Sequence, residues 1–447
     1  MYFGGIGVGL RQQRAVASAA GVGGSLMSGF TRRDGCLYVE ELSASSLAAE
    51  FGTPCYVYSK HILLESAERV CSSFPRSLPR FFYAVKANGN LSVLRLLREA
   101  GFGFDIVSSG EMSRAFAAGA EGRDIVFSGA GKSAVEIRAA LSAGVGCFNV
   151  ESESEMMRLE SIAESQKACA RMALRVSPDI DGGTHRHLTT GTADGKFGVS
   201  YAESLSLARR ASESSSLDFR GFACHIGSQI KDAAAYLAAA EKMSALIKDA
   251  QQAGLSVSHV DMGGGFAVDY QNSGGLNIDL SEYDNALSRL FTSAEVWLEP
   301  GRSVSASAGV LLTRVEYVKN SGGNLFWIVD AGMNDILRPA LYDAVHAVEA
   351  AEEKGGSPQT GMVAGPVCES ADIIARECRL NVGEGDVLAV RDAGAYCSAM
   401  SSNYNARPRP PEVLVDGKTA TLIRRRETDE DMLAAEILPL DDGQEGG

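Results

Sequence analysis

The chain has 447 residues, of which 45% are hydrophobic and 22% charged, and its formal net charge is -14. A chain of this length and composition buries large cores and forms more than one globular domain. The negative charge argues against nucleic acid or an anionic membrane as the main partner. An anionic substrate must therefore be bound by local arginines.

Nine cysteines are scattered along the chain without a CxxC pair, and their spacing to histidines does not match a metal site. We therefore predict reduced thiols, no metal and a cytoplasmic location. No stretch approaches the length of an uncharged membrane-spanning helix. Residues 1–33 contain no acid and four arginines. One interpretation is a targeting segment. The other is a poorly ordered leader or an extended start site, and we favour it because residues 1–33 lack a clean apolar core and a cleavage pattern.

Between residues 60 and 300, short apolar runs alternate with segments of helical period such as 91–100 and 234–250. This alternation occurs eight times and predicts a (β/α)8 TIM-type barrel rather than an open sheet. The eight predicted strands are 81–85, 102–107, 124–128, 145–150, 172–176, 219–226, 257–262 and 295–298.

After Pro300 the pattern changes to short β-rich runs at 310–318, 325–329 and 386–391, and a hairpin is predicted over 412–423 around Asp416-Gly417. The run 36–40 precedes the barrel and has no place in it. We therefore predict an α/β barrel over 60–300 plus an all-β domain that is discontinuous in sequence. That second domain comprises 34–59 and 301–447, with substrate and dimer-contact loops in the C-terminal part.

Polar residues fall where the predicted barrel strands end, which is where barrels collect their chemistry. Lys86 closes the first strand and is followed by a turn, a position where burial lowers the preference of the amine for its charged form. The pattern indicates a lysine that forms a Schiff base with pyridoxal phosphate. The other residues of this layer are Asp105, Arg175, His225 to Gln229, Gly263 to Gly265 and Glu299 to Arg302.

Each of these residue types has a role beside a pyridoxal ring and a simpler structural alternative. Three glycines after a strand expose N–H groups to a phosphate, or form a flexible turn. His225 offers a flat face to stack on the ring, or is a satisfied core histidine. Glu299 keeps the pyridine nitrogen protonated, or forms a cap or salt bridge. Arg302 binds phosphate or a substrate carboxylate, and Ser228 offers a hydroxyl to phosphate.

Two groups of candidate residues lie after the barrel. Cys368-Glu369 places a thiol beside a carboxylate in a predicted loop, although a buried structural cysteine is the commoner fate. Tyr396 stands among small residues and either reaches the cofactor or packs in the core. Arg338 and Tyr342 lie in a predicted loop-to-helix segment between these two groups.

The motifs YAVKAN, HIGSQ, GGGF, EPGR, CES and DAGAY, in this order, resemble the fold-type III pyridoxal-phosphate decarboxylases, whose fold is alanine racemase-like. The resemblance extends from about residue 36 to 423. Three marks favour the branch that converts meso-2,6-diaminopimelate to L-lysine and CO2 in lysine biosynthesis. They are the segment 181–197, the run 337–342, and Glu369, where ornithine-type relatives carry Asp.

The resemblance implies pyridoxal 5'-phosphate as cofactor, and a homodimer in which the Cys368-Glu369 loop enters the partner's site. It implies Lys86 as the cofactor-bound lysine and Cys368 as the proton donor. Substrate binding is assigned to Arg302, Arg338, Tyr342, Glu369 and Tyr396, where Arg338 and Glu369 would recognise a distal amino-carboxylate. We assign cofactor binding to Lys86, Asp105, Arg175, His225, Ser228, Gly263, Gly264, Gly265, Glu299, Gly301, Arg302 and Tyr396.

The sequence departs from the family pattern at two places. His187-Leu188 replaces an aromatic-aliphatic pair, and Cys397 follows Tyr396 where a small residue is usual. The alternative enzyme functions are decarboxylation of ornithine, arginine, carboxynorspermidine or a D-amino acid. Racemases of this fold type lack the CES segment. A non-catalytic homologue that regulates a partner predicts loss of the lysine or the cysteine, yet Lys86 and Cys368 are both present.

Overall fold

The computed structural model describes residues 29–180, 196–270 and 275–437. These residues form a closed parallel barrel, a larger mixed sheet and a small three-stranded sheet. The strands are β1 (Phe30–Arg33), β2 (Cys36–Val39), β3 (Leu42–Ser43), β4 (Cys55–Ser59), β5 (Arg80–Ala84), β6 (Gly103–Ile106), β7 (Ile125–Phe127), β8 (Cys147–Val150), β9 (Ala170–Arg175), β10 (Leu217–Ala223), β11 (His259–Asp261), β12 (Glu295–Leu298), β13 (Gly309–Ser321), β14 (Asn324–Val329), β15 (Val348–Ala350), β16 (Gln359–Ala364), β17 (Ile373–Leu380), β18 (Val387–Val390), β19 (Glu412–Asp416) and β20 (Thr419–Arg424).

Most of the helices follow strands of the barrel. They are α1 (Ala44–Phe51), α2 (Lys60–Ser72), α3 (Leu91–Glu99), α4 (Ser109–Ala117), α5 (Ala134–Ser142), α6 (Glu153–Ser165), α7 (Tyr201–Glu213), α8 (Ala233–Gln252), α9 (Ser281–Leu290), α10 (Arg302–Ser305), α11 (Arg338–Tyr342) and α12 (Asp429–Leu433). Within the described ranges, none of them combines the length and apolar composition needed to cross a membrane.

The predicted barrel is present. Strands β5 to β12 are parallel and close on themselves where Trp297 and Leu298 of β12 pair with Arg80 and Phe81 of β5. Each of the eight predicted strands overlaps one of these eight. Serine side chains such as Ser108 and Ser152 cap the N-termini of α4 and α6, because their hydroxyls accept otherwise unpaired backbone N–H groups. The helices therefore begin at defined positions just beyond the strand ends.

The amino-terminal end of the barrel interior is packed with apolar and aromatic side chains. Phe82, Cys147 and Trp297 belong to this inner cluster, and the His259 ring stacks on Trp297 at 3.7 Å between centroids. Burial lowers the pKa of His259 to about 3, so the ring is neutral in this cluster. Because this end is closed, the polar residues of the barrel gather at the opposite, carboxyl end.

The second sheet has nine strands, in the order β17-β16-β14-β13-β4-β19-β20, with β15 and β18 off this path. Its strand β4 precedes the barrel in sequence, yet lies between β13, which is antiparallel to it, and β19, which is parallel. The hydroxyl of Tyr58 in β4 donates to Glu412 of β19 at 2.6 Å. The hairpin of β19 and β20 turns at Asp416-Gly417, as predicted. The predicted boundaries between the barrel domain and the β domain, at residues 60 and 300, stay a proposal.

The segment before β4 forms a small sheet that packs against the large one, with Leu37 and Val39 in one core with Val57, Val310 and Val413. The run 36–40 forms β2 of the small sheet with β1 and β3, and touches the large sheet where Leu37 donates its N–H to the Ala351 carbonyl at 2.8 Å. Of the predicted leader, residues 1–28 lie outside the described residues. Residues 30–33 form β1, because pairing with β2 satisfies their backbone groups, so the structured part begins earlier than predicted.

The β domain contacts the carboxyl end of the barrel through the segment that follows β18. The N–H of Tyr396 donates to the Ala87 carbonyl at 2.8 Å, and the Asn88 side chain donates to the Gly394 carbonyl at 3.0 Å. Residues of both domains consequently line the cavities at this junction.

Candidate active site

Lys86 lies directly after β5 at the carboxyl end of the barrel. Its Nζ donates to Oδ2 of Asp105 in β6 at 3.1 Å, and the Asp105 side chain is fully buried. The other Asp105 oxygen has no hydrogen-bond partner among the described residues. The carboxylate therefore fixes the amine of Lys86 inside the mouth of the barrel.

The charge state of Lys86 differs from the sequence prediction. Burial alone lowers its pKa, as expected, but the nearby carboxylate of Asp105, which also accepts a hydrogen bond from the amine, outweighs burial and raises the pKa above 10.5. Without a bound carbonyl compound, Lys86 is consequently an ammonium ion paired with Asp105. The prediction of a lowered pKa was wrong because the sequence does not show which carboxylates surround the amine.

Glu299 follows β12 and forms part of the cavity floor, where it is 8% exposed. The side chains of Ser128 and Asn149 each approach its Oε1 at 3.4 Å, and Asn149 also donates to Asp261 at 3.0 Å. Burial, together with the charges of Asp105 and Asp261, raises the pKa of Glu299 well above 4.5. The environment of Glu299 therefore favours its protonated form more than water would.

Sequence reasoning missed Ser128, Asn149 and Asp261, although the rule used for the other site residues would have found them. Ser128 and Asp261 lie at the carboxyl ends of β7 and β11, and Asn149 is next to last in β8. Polar residues at these positions in buried strands are the signal.

His225 lines the cavity beside Lys86. Its Nδ1 accepts the N–H of Gly264 at 3.2 Å. Burial, with the positive charges of Lys86 and Arg175, lowers the pKa of His225 well below 6.5. The imidazole is therefore neutral and presents a flat face rather than a positive charge.

The three glycines after β11 form the closely packed turn that the sequence predicts. Gly263 and Gly265 have φ values of 67° and 92°, which disfavour residues with a Cβ atom. A Cβ at Gly264 would lie 2.8 Å from the carbonyl carbon of Glu299, and one at Gly265 would strike the Gly227 carbonyl. Only glycine lets these backbones approach so closely.

These residues fit pyridoxal phosphate. A cavity of about 430 Å³ and a smaller one of about 150 Å³ share Lys86, His225 and Glu299 in their walls. The smaller one is also lined by Ser228, Gly265, Gly301 and Arg302. The set provides an amine, a neutral flat ring, a buried carboxyl group and glycine backbone for a phosphate.

Arg302 and Arg338 share a cavity that lies next to the one beside Lys86. Both are buried and line a cavity of about 490 Å³, together with Tyr342. Arg302 donates to the Tyr270 hydroxyl at 2.9 Å and to Ser228 at 3.1 Å, and its guanidinium lies 4.6 Å from the Tyr396 ring centroid. Arg302 and Tyr342 also line the smaller cavity beside Lys86, so the two spaces adjoin, and Tyr396 lines the smaller one.

Arg175 lines the cavity of about 430 Å³ beside Lys86. It forms an ion pair with Glu151, a residue that the sequence analysis did not single out. Its Nη1 donates to Glu151 at 2.8 Å, and its guanidinium lies 4.7 Å from the Phe197 ring centroid. Glu151 also accepts the N–H groups of Gly129 and Gly198. Arg175 and Glu151 thus join three segments of the barrel rim.

Cys368 and Glu369 are not brought to this cavity within the chain. Both are exposed, in the loop between β16 and β17, where Cys368 donates its N–H to Asn405 at 3.0 Å and Glu369 accepts from the Tyr404 hydroxyl at 2.5 Å. Neither lines a cavity around Lys86 in the described part of the chain.

The two departures from the family pattern have different positions. His187-Leu188, like most of the predicted mark 181–197, lies outside the described residues. Cys397 is fully buried, and Arg338 and Arg302 lie close enough to oppose the rise that burial causes in its pKa, which is about 11. The unusual thiol therefore lies close to the two buried arginines.

Comparison with known proteins places the barrel in a family of pyridoxal-dependent enzymes. Residues 64–306 match the family model described as the pyridoxal-binding domain of pyridoxal-dependent decarboxylases. Fold, site and family model together define a pyridoxal-phosphate-dependent carboxy-lyase.

The diaminopimelate decarboxylase of Neisseria meningitidis serogroup A is 45% identical over 403 residues, which cover 90% of this chain and 99% of the relative. That of Pseudomonas aeruginosa is 43% identical over 417 residues, covering 92% and 99%. The crystal structure of diaminopimelate decarboxylase from Helicobacter pylori complexed with L-lysine matches with a TM-score of 0.83 at 37% identity, covering 87% of this chain and 98% of that chain. The chain belongs to the diaminopimelate decarboxylase family.

Proposed function

We propose that this protein converts meso-2,6-diaminopimelate to L-lysine and CO2, the last step of lysine biosynthesis. The observation that carries the proposal is the pair of buried arginines, Arg302 and Arg338, in one cavity that adjoins Lys86. A substrate with a carboxylate at each end can engage a guanidinium at a distance from the reacting carbon. A simple diamine precursor would leave one buried guanidinium without an anionic partner.

Bound pyridoxal phosphate supplies an electron sink for the pair of electrons left when CO2 departs. Lys86 would hold the cofactor, and its amine must first lose a proton. Asp105 accepts the hydrogen bond from that amine at 3.1 Å and is the proton acceptor in reach. Of the three glycines, Gly265 lines the smaller cavity and would offer its backbone N–H to the phosphate, whereas the N–H groups of Gly263 and Gly264 donate to Asp261 and His225. The neutral face of His225 would stack on the ring.

Glu299 would hydrogen-bond to the ring nitrogen from the cavity floor. Its raised pKa favours a proton on this carboxyl group, and Ser128 and Asn149 lie near one of its oxygens. A protonated ring nitrogen attracts the developing negative charge, so this contact favours bond cleavage.

The reaction breaks one carbon–carbon bond, releases CO2 and requires one proton at the carbon that carried the carboxylate. We assign that proton to the Cys368 thiol and recognition of the distal ammonium to Glu369. Because both lie on an exposed loop away from the Lys86 cavity, we propose a homodimer in which this loop completes the site of the other copy.

The substrate is tested by measuring CO2 release from meso-diaminopimelate and from L-ornithine with one purified sample. We expect turnover of the first and little of the second. The Lys86→Ala variant should show none and serves as the control for contaminating activity. Turnover of ornithine alone would refute the assignment of Arg338 and Glu369.

The shared site is tested by mixing Lys86→Ala with Cys368→Ala protein under conditions that exchange subunits. Hybrid dimers would contain one site with both native residues, so about a quarter of the native activity should return. Each variant mixed with itself is the control and should stay inactive. If the mixture also stays inactive while the subunits exchange, Cys368 does not act across a dimer.

A further inference from the structure

His346, a buried histidine without an assigned role, lies between α11 and β15 beside the arginine-lined cavity. It is 2% exposed. Its Nδ1 lies 2.8 Å from the Arg391 carbonyl oxygen, and its Nε2 lies 2.6 Å from Nη1 of Arg338. A carbonyl only accepts hydrogen bonds and a guanidinium only donates them. The proton of the neutral ring is therefore on Nδ1, and Nε2 accepts from Arg338.

The neutral state of His346 follows from its surroundings. Burial, together with the positive charges of Arg338 and Arg302, lowers its pKa to about 3, against a small opposing effect of the Arg391 hydrogen bond. A protonated ring would have no lone pair for Arg338 and would repel it. The histidine is thus a permanent acceptor at neutral pH.

Two rings hold the Arg338 guanidinium in place: His346 contacts its edge and Tyr270 packs on its face. His346 accepts from one Nη1 hydrogen, and the guanidinium lies 4.3 Å from the Tyr270 ring centroid, with the Tyr270 and His346 rings packed edge to face at 5.2 Å. Arg338 Nε is buried and has no hydrogen-bond partner within 29–180, 196–270 and 275–437. The guanidinium thus retains donor capacity for an anion.

We propose that His346 is a positioning residue for substrate binding, because its Nε2 fixes the orientation in which Arg338 presents its guanidinium to the distal carboxylate. The inference rests on the proposed function for the identity of that carboxylate. It assigns no contact between His346 and the substrate or the reacting atoms. Its effect is therefore on binding rather than on bond cleavage.

Two amide substitutions separate the two hydrogen bonds of the ring. In His346→Gln the longer side chain places an amide oxygen near the position of Nε2, where it can accept from Arg338. In His346→Asn the shorter amide can donate to the Arg391 carbonyl but cannot reach Arg338. The Asn variant therefore tests loss of positioning, and the Gln variant is the matched rescue.

We expect KM for meso-diaminopimelate to rise about tenfold in His346→Asn with kcat nearly unchanged, because the substrate must then order an Arg338 guanidinium that His346 no longer holds in place. In His346→Gln the rise should be less than about threefold. A fall in kcat with unchanged KM, or equal defects in both variants, would overturn the proposal.

A double-mutant cycle keeps the test valid if His346→Asn lowers stability. In an Arg338→Ala background, His346→Asn should raise KM no further, because its effect passes through the guanidinium. Fully additive effects would show a general structural role and overturn the proposal.

Competitive binding of heptanedioate, a dicarboxylate without amino groups, separates this inference from the proposed function. Binding that weakens about tenfold in His346→Asn, while the native protein does not turn over diaminopimelate, would retain the positioning role and refute only the function. Equal binding of heptanedioate to the native protein and to His346→Asn would refute the positioning role.

Discussion

The glycine turn after β11 allows a sharp test of the cofactor site, through the substitution Gly264→Ala. The new Cβ would lie 2.8 Å from the carbonyl carbon of Glu299, closer still to its oxygen, and 3.3 Å from the Pro300 Cα. Cβ atoms essentially never approach other heavy atoms within 3.0 Å. All three of these neighbours belong to the backbone, so no side-chain rotation relieves the clash.

The backbones of the Gly264 and Glu299 segments must therefore separate by about 1 Å, and we expect a loss of about 1–3 kcal/mol in the free energy of unfolding. These segments are joined by the Glu299 N–H to Gly263 carbonyl bond of 2.7 Å. The shift therefore moves the glycine N–H groups and the Glu299 carboxyl relative to each other. A displacement of this size in a catalytic site lowers turnover about 100-fold.

Three measurements check this prediction: the cofactor retained after dialysis, read by absorbance; CO2 release; and unfolding in urea. Gly383→Ala is the matched control, because a Cβ there would meet no atom within 4 Å and its φ is not positive. That variant should equal the native protein in all three. A Gly264→Ala variant that retains the cofactor and full activity would refute the close packing of the turn against Glu299.

Three further predictions concern charged groups. Burial raises the pKa of Asp392 from 3.8 to about 7 in the folded protein. Between these two pH values the folded protein holds a proton on Asp392 that the unfolded chain has lost. The free energy of unfolding therefore falls as the pH rises from about 4 to about 7. Asp392→Asn should thus stabilise the protein by up to roughly 4 kcal/mol at about pH 8 and little at about pH 4, measured by urea unfolding. Lys132→Met should cost about 3–5 kcal/mol, because it leaves the buried Glu155 unpaired, whereas the exposed Lys418→Met should cost less than about 1 kcal/mol. Lys86→Ala should abolish the absorbance band of covalently bound cofactor, and an unchanged band would refute the assignment of Lys86.

The barrel was predictable because its signal is local. Each strand is a short apolar run followed by a helical pattern, and the prediction 295–298 coincides with β12. The position of Lys86, Glu299 and the glycines at one rim then follows from the parallel direction of the strands. Ser128, Asn149 and Asp261 could have been found by the same rule.

Other features depend on contacts between distant parts of the chain. The run Cys55–Ser59 resembles any short strand, and only its pairing with β13 and β19 places it in the second sheet. The exposed position of the Cys368 loop likewise depends on Asn405, which is 37 residues away. The raised pKa of Lys86 depends on which carboxylates surround it in space. None of these follows from composition or spacing.

The two parts of the fold contribute differently to selectivity. The barrel provides Lys86, Glu299 and the glycine turn, whose chemistry concerns a cofactor that is the same for every substrate. Arg338, with His346 as its acceptor, comes from the β domain and lines the same cavity as Arg302, which follows the last barrel strand. Because Arg338 and His346 lie outside the barrel, substitutions there can change the substrate preference without disturbing the cofactor site. Selectivity between diaminopimelate and smaller diamino acids should therefore depend on the β domain rather than on the barrel.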